Sequence, residues 1–444
     1  MKMKKMFWIL LYFLAPVLPV YFYVIQESKS NNNFMFLLGG ALGICSYVFF
    51  VNQFIITARP KFIEKNFGMD RMYRFHMVMP LVAFTLGLIH AQIKESYFHD
   101  SFQTTLGSAT LVIFGAIIVI STLLMINKLF FKIKIVDDIR NSLKKFLKPK
   151  HEFLVTVHNI TVVGVCILLI HILLSNSVKT NIQLEMTLTA YFVIALSMYF
   201  YHKVLKRNIA KSKEYTISDI RNECDNIITL KFKPKNHKLF TYKSGQFLYV
   251  KLYNEEIPKD EHPFTISSSP TEKDYISVTV KQLGDFTNSL VKARVGDKAY
   301  IDGSFGSFTH LDLPKDNKLC FIAGGIGITP FLSMLRYLNV EEKHRDVILI
   351  WGARDSSELI CKEELDSIAC NMKNLTIIPV LSSEKKYSGE QGYVDGARVK
   401  RLLNNDLEYD FFLCGPPIMM EKAVSDLKSF NINSNKIHFE RFSI

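Results

Sequence analysis

FHMVMPLVAFTLGLIH, residues 75–90, and VHNITVVGVCILLIH, residues 157–171, decide what this chain can be. Each is an apolar, helix-length run with a histidine near each end: His76 and His90 in the first, His158 and His171 in the second. Histidine is costly in hydrocarbon and marks function there by default. The spacings are 14 and 13 residues. At a rise of about 1.5 Å per residue, each run separates its histidines by ~20 Å, which fits within one bilayer core. Imidazole is a haem-iron ligand, so the four are expected to hold two b-type haems, His76 with His158 and His90 with His171. A spacing of 14 returns a helical side chain to within about 40° of its starting direction, whereas 13 leaves it about 140° away. The second run is therefore expected to bend or carry a π-bulge, for which Gly164, midway, offers a place; the alternative is that its two histidines meet haems on different sides.

Six apolar runs approach the ~20 residues that a spanning helix needs, near 6–25, 34–57, 75–93, 105–127, 153–175 and 187–204. The first is too long for a signal-peptide core and has no small-x-small cleavage site after it, so it is expected to be retained. Loop charge alternates. The 58–74 loop carries Arg59, Lys61, Lys65, Arg71 and Arg74, and eight Lys and Arg lie between Lys128 and Lys150. Lys203, Lys206, Arg207, Lys211 and Lys213 follow the sixth run, while the intervening loops hold only Lys29, Lys94 and Lys179. This positive-inside pattern predicts a multi-pass cell-membrane protein with both termini cytoplasmic and lipid around it. The third and fifth runs then point the same way, which places His76 and His158 on the cytoplasmic side and His90 and His171 on the outer side. Within the basic loop, Asp137-Asp138 followed by Lys144-Lys145 predicts a short amphipathic helix.

Residues 1–213 hold 24 Lys and Arg against 9 Asp and Glu, and residues 214–444 hold 30 against 32. The basic excess thus belongs to juxtamembrane loops, which argues against nucleic-acid binding. None of the seven cysteines forms a C-x-x-C pair, so neither a disulfide framework nor a zinc site is expected.

From about residue 214 the composition becomes that of a water-soluble α/β protein. Short strands at Tyr215–Ile220, Ile227–Phe232, Gln246–Leu252, Tyr275–Lys281 and Lys298–Ile301 predict a small barrel, interrupted by His262-Pro-Phe-Thr-Ile-Ser-Ser-Ser-Pro. Lys281-Gln-Leu-Gly-Asp-Phe-Thr287 reads as strand end, glycine turn and helix start, a phosphate site built from backbone N–H groups and the Thr287 hydroxyl. Beyond residue 317 strands and helices alternate. Leu319–Ala323, then Gly324-Gly-Ile-Gly-Ile-Thr-Pro330, then a helix, is the phosphate-cradling order of dinucleotide sites without the full G-x-G-x-x-G spacing. Strands follow at Val347–Trp351, Leu375–Leu381 and Phe411–Leu413, the last leading into Cys414-Gly-Pro-Pro.

These stretches resemble the ferredoxin-reductase superfamily. His262-Pro263-Phe264-Thr265 matches its R-x-[YF]-[ST] flavin motif with histidine in the arginine position, the form of the NADPH oxidase and ferric reductase branch. Gly284-Asp285-Phe-Thr287, Gly324–Pro330, Cys414-Gly415-Pro416 and the 14- and 13-residue histidine spacings also suit that branch. The resemblance covers nearly the whole chain, to a prokaryotic NADPH oxidase-like flavocytochrome. It implies a six-helix haem-binding membrane bundle over 1–210, an antiparallel β-barrel FAD domain over 211–313 and a Rossmann-like α/β NADPH domain over 314–444. It implies FAD contacts for His262, Pro263, Phe264, Thr265, Ser267, Lys281, Gly284, Asp285 and Thr287. Gly324, Gly325, Gly327, Thr329, Pro330, Gly415 and Pro416 are implied for the nicotinamide dinucleotide. Cys414 and Thr329 are expected near hydride transfer, Phe442 stacked on the flavin, and Arg354 on the 2′-phosphate that favours NADPH while leaving NADH possible.

The expected activity is transmembrane electron transfer from cytosolic NADPH through FAD and two haems to dioxygen outside, giving superoxide. The alternatives are a metal-ion reductase with the same path and an electron-transfer subunit for a protein partner. No EF-hand loop or extra activator-binding segment is present in the sequence, so constitutive activity without an obligatory activator is expected.

Overall fold

The computed structural model describes residues 2–30, 32–97, 101–125, 134–147, 151–206 and 214–440. It divides into two compact units, Met1–Lys206 and Arg207–Ile444.

The first unit is helical. Among the described residues six helical stretches are long and apolar enough to cross a membrane: Met6–Lys29, Phe34–Thr57, Arg71–Glu95, Phe102–Met125, Phe153–Leu173 and Ile182–Leu205. The second is the central one, with 44% of its apolar window buried against 17% for each of the others. Side-chain caps start three of them. Asn33 accepts from Phe36 N, Ser101 and Thr104 form a reciprocal capping box, and Asn181 accepts from Leu184 N. The first span breaks at Ala15–Pro16, between helices Lys2–Leu14 and Val17–Lys29. Proline has no N–H for the helical ladder. The fourth and sixth spans end in π-helical turns, Ser121–Met125 and Tyr201–Lys206. Large apolar side chains also face outward, among them Val112, Phe153 and Met186. The expected amphipathic helix spans Lys134–Leu147.

The fifth span is interrupted, as expected, but not at Gly164. It breaks at Asn159–Ile160, between helices His151–His158 and Thr161–Leu173. The Thr161 hydroxyl donates to the carbonyl of His158, and the Asn159 side chain accepts from Lys203 Nζ at 2.6 Å. Gly164 serves close packing instead: a Cβ there would meet Ile113 and Phe114 of the fourth span at 3.2 Å.

The second unit holds two six-stranded sheets. The first comprises β1 (Tyr215–Cys224), β2 (Ile227–Pro234), β3 (Phe247–Tyr253), β4 (His262–Thr265), β5 (Ile276–Lys281) and β6 (Lys298–Phe305). It is antiparallel in the order β4-β3-β6-β1-β2-β5. Phe232, Leu248, Ile276 and Val278 fill its interior. The His262 stretch, expected as an interruption, is itself an edge strand. Pro263 sits there because an edge strand can lack one ladder donor. The second sheet is parallel: β7 (Leu319–Gly324), β8 (Val347–Ala353), β9 (Leu375–Leu381), β10 (Glu390–Gln391), β11 (Asp410–Cys414) and β12 (Ile437–Phe439). Its order is β10-β9-β8-β7-β11-β12. β7 and β11 are buried throughout, as parallel strands covered on both faces must be.

Candidate functional site

The four span histidines meet in two facing pairs. The ring centres of His76 and His158 lie 6.0 Å apart, and those of His90 and His171 lie 6.4 Å apart. Each imidazole is hydrogen-bonded through Nδ1. His90 donates to the Gly39 carbonyl (2.7 Å) and His171 to the Gln103 carbonyl (2.8 Å). His76 faces Gln53 Oε1 (3.0 Å) and His158 faces Ser121 Oγ (3.1 Å). A carbonyl only accepts, so in His90 and His171 the proton is on Nδ1 and Nε2 keeps its lone pair. The Gln53 amide nitrogen donates to Tyr12 Oη and the Phe49 carbonyl, which turns its oxygen toward His76 and sets that tautomer too. Neighbouring spans make room for two of the rings through glycine. A Cβ on Gly43 would come within 2.6 Å of His90 Nδ1, and one on Gly107 within 2.8 Å of His171 Cε1. Each pair therefore sets two imidazole rings across a gap.

In the second unit the glycine turns converge at one edge of the parallel sheet. β8 lies on one side of β7 and β11 on the other, so the order reverses between β7 and β11. The crevice beyond their carboxyl ends is where open α/β sheets bind ligands. Gly324-Gly325-Ile326-Gly327 leaves β7 there, and Cys414-Gly415-Pro416 leaves β11 beside it. A Cβ on Gly327 would meet the Cys414 carbonyl carbon at 2.6 Å, and one on Gly415 would meet Gly324 Cα at 3.0 Å, so the two turns pack backbone to backbone. Gly325 has φ +53° and open space where its Cβ would be. Trp351 Nε1 pins its carbonyl at 3.1 Å. Thr329 and Pro330, both buried, open the helix Thr329–Glu341, with the Thr329 hydroxyl donating to the Ile326 carbonyl. Burial pushes the Cys414 thiol well up, and nearby Glu440 adds to it, so Cys414 is a neutral thiol. Arg354 stands at the end of β8 with an exposed guanidinium paired to Asp355 at 3.1 Å.

The antiparallel sheet brings the remaining residues to the same unit. His262 stacks on Phe286 at 3.8 Å, with Phe264 beyond it. Thr265 ends β4 and is buried. Gly284 starts the short helix Asp285–Ser289, and Thr287 Oγ1 accepts from the backbone N–H groups of Leu283 and Gly284. Lys281 is ion-paired to Glu358 at 2.8 Å. The Ser267 hydroxyl bonds to Ser277 and Thr279 within the buried barrel network. Arg336 joins the two lobes of this unit. It donates in bidentate fashion to Glu364 at 2.6 Å and reaches the Ser267 carbonyl at 2.5 Å, while Ser333 donates to the Ser268 carbonyl. Phe442 lies outside the described residues.

The comparisons agree with this geometry. An FAD-binding domain family matches residues 211–326, and the oxidoreductase NAD-binding domain family matches residues 321–425. The C-terminal half is a ferredoxin-reductase-type flavoprotein module. FAD and a nicotinamide dinucleotide are the cofactors of this oxidoreductase module. The chain is 30% identical over 233 residues to the glycine betaine monooxygenase reductase subunit of Chromohalobacter salexigens, across 50% of this chain and 60% of that one. It is 30% identical over 207 residues to the phenol hydroxylase P5 protein of Acinetobacter pittii, across 45% and 58%. It is 28% identical over 252 residues to the flavohemoprotein of Halalkalibacterium halodurans, across 52% and 59%. The chain thus spans about 60% of the length of these relatives. Around the reductase module's motifs, sequence reasoning missed Arg336, Glu358 and Glu440, whose roles come from long-range contacts. It also missed Gln53 and Ser121, although a glutamine within an apolar span is itself a signal.

Proposed function

We propose that this chain is a membrane flavocytochrome that passes electrons from cytosolic NADPH through FAD and two b-type haems to dioxygen outside, releasing superoxide. The observation that carries the reading is the two facing imidazole pairs in apolar spans, on one chain with a reductase module. An imidazole nitrogen sits about 2 Å from a bound metal ion, with the ring centre roughly 1.1 Å further. Two ligands across one ion therefore have centres roughly 6 Å apart. The observed 6.0 and 6.4 Å fit that distance. The Nδ1 bonds are those that orient ligating histidines.

A flavin bound in this module would supply the conversion of hydride transfer into single-electron transfer, and haems held by the histidine pairs would carry the electrons onward. The residues do the rest. The glycine turns at Gly324–Gly327 and Cys414–Pro416 would seat the dinucleotide, Thr265 would hold the flavin, and neutral Cys414 would line the transfer position. The histidine pairs hold His76/His158 toward the cytoplasm and His90/His171 toward the exterior, the sense given by the loop charges. His76 with His158 and His90 with His171 would each hold a haem iron through two imidazoles, so electron transfer to the acceptor would be outer-sphere.

The relatives named as reductase subunits favour one second reading, electron delivery to a protein partner. Purified protein with FAD and NADPH separates the two. Cytochrome c reduction inhibited by superoxide dismutase supports the oxidase. Insensitivity to the dismutase with rapid ferric-chelate reduction sinks it in favour of a metal-ion reductase, and reduction of neither acceptor favours the protein partner.

A further inference from the structure

The two histidine pairs are held by different means. The outer pair donates to backbone carbonyls, Gly39 and Gln103, which no substitution removes. The inner pair is hydrogen-bonded to side chains instead, His76 to Gln53 and His158 to Ser121. Gln53 is 5% exposed and lies in the most buried span. Its amide nitrogen is committed to Tyr12 Oη at 2.8 Å and the Phe49 carbonyl at 3.2 Å, so its oxygen can only face His76. Tyr12 is stacked on Phe49 and edge-on to Phe75, the residue before His76. Three spans thus supply one relay, Tyr12–Gln53–His76.

We infer that Gln53 is a positioning residue that sets the donor strength of His76, so that the inner metal site can be tuned by side chains while the outer one is fixed by backbone. This rests on the bis-histidine haem reading. An acceptor on Nδ1–H makes an imidazole a stronger donor and orients it, and such partners tune the metal's potential. A stronger donor favours the oxidised iron and lowers the midpoint.

The test is a potentiometric titration of the full-length, haem-loaded protein, followed in the visible spectrum, with haem per chain counted separately. Gln53→Leu should keep both haems and raise one midpoint, leaving the other in place. The expected change is on the order of tenfold in that haem's oxidised-to-reduced ratio, 59 mV for one electron. Gln53→Glu, which offers a stronger acceptor, should lower the same midpoint. Ser121→Ala should raise that same component. Tyr12→Phe, which leaves Gln53 in place, should give a smaller rise and serves if Gln53→Leu fails to assemble. Equal movement of both components, shifts of the same sign for Leu and Glu, or no shift in any variant would overturn the inference. Wild-type protein that binds no haem would instead overturn the haem reading itself.

Discussion

The two units build their sites from opposite materials. In the helical unit the groups that matter are side chains carried on helices. His76 and His90 share one helix, and two more imidazoles face them from the fifth span. In the reductase module the site is chiefly backbone: glycine turns leaving adjacent parallel strands, with Cys414 buried behind them. A side-chain site fails one ligand at a time, whereas a backbone site fails when packing is disturbed. The sharpest break of this contrast is His158→Ala, which should halve the haem per chain, abolish NADPH-driven reduction of external acceptors and leave flavin content unchanged. A variant with full haem content would show that His158 is not a ligand.

The same contrast explains what was legible in the sequence. Helical periodicity converts spacing into geometry, so the histidine levels and their pairing follow from positions 76, 90, 158 and 171 together with loop charge. The 13-residue spacing even pointed to an interruption. Its place was missed because Gly164 looks like a hinge, while the break lies at Asn159, whose side chain accepts from Lys203 of another span. Strands β1–β3, β5–β9 and β11 were readable from alternation and turn residues. β4 was not, because Pro263 argues against a strand unless the strand is at an edge, and edge position is a tertiary property. Ser267 matched a flavin stretch, yet its hydroxyl bonds inside the barrel. Which side of a motif faces outward is set by register, not composition. Arg336 gave no local signal, since its partners lie 28 and 69 positions away.

In the backbone-built site, Gly327→Ala and Gly325→Ala should separate packing from conformation. A methyl on Gly327 meets the immovable carbonyl carbon of Cys414 and should cost about 1–3 kcal/mol by overpacking. The nicotinamide nucleotide KM should rise and flavin release should come at lower temperature. Gly325 has open space but a positive φ, so its alanine variant should cost only about 1 kcal/mol. Equal effects would mean that the two turns do not rely on close contact. Next in size is Arg336→Ala, which frees Glu364 and the Ser267 carbonyl. It should lower stability by about 1–2 kcal/mol, the low end for charged hydrogen bonds because Glu364 is partly exposed. Burial pushes the Glu364 carboxyl up, yet the Arg336 guanidinium outweighs it and holds the group below its usual 4.5. A depressed carboxylate stabilises the fold above its unfolded value and loses that contribution as pH falls through the folded one. Wild type should therefore lose stability on acidification below about pH 4.5, and Arg336→Ala should lose less, as thermal unfolding across pH would record.

The smallest expected structural effect belongs to Arg354, where the two kinds of site meet: a side chain placed at the rim of a backbone-built cradle. Its side chain is 68% exposed and pairs with Asp355, and an exposed pair of this kind contributes about 0–1 kcal/mol. Arg354→Ser should leave thermal unfolding essentially unchanged. A phosphate ester on the ribose would meet the planar donor fork that suits it, so the NADPH KM should rise about tenfold, about 1.4 kcal/mol, with kcat and the NADH constants unmoved. Arg354→Lys should recover only part, because an ammonium keeps the charge and loses the fork. Asp355→Asn, which removes a carboxylate beside the same phosphate, should move NADPH the other way by a lesser factor. Parallel changes for NADPH and NADH would place Arg354 at a group common to both nucleotides, and the preference for NADPH would then need another source.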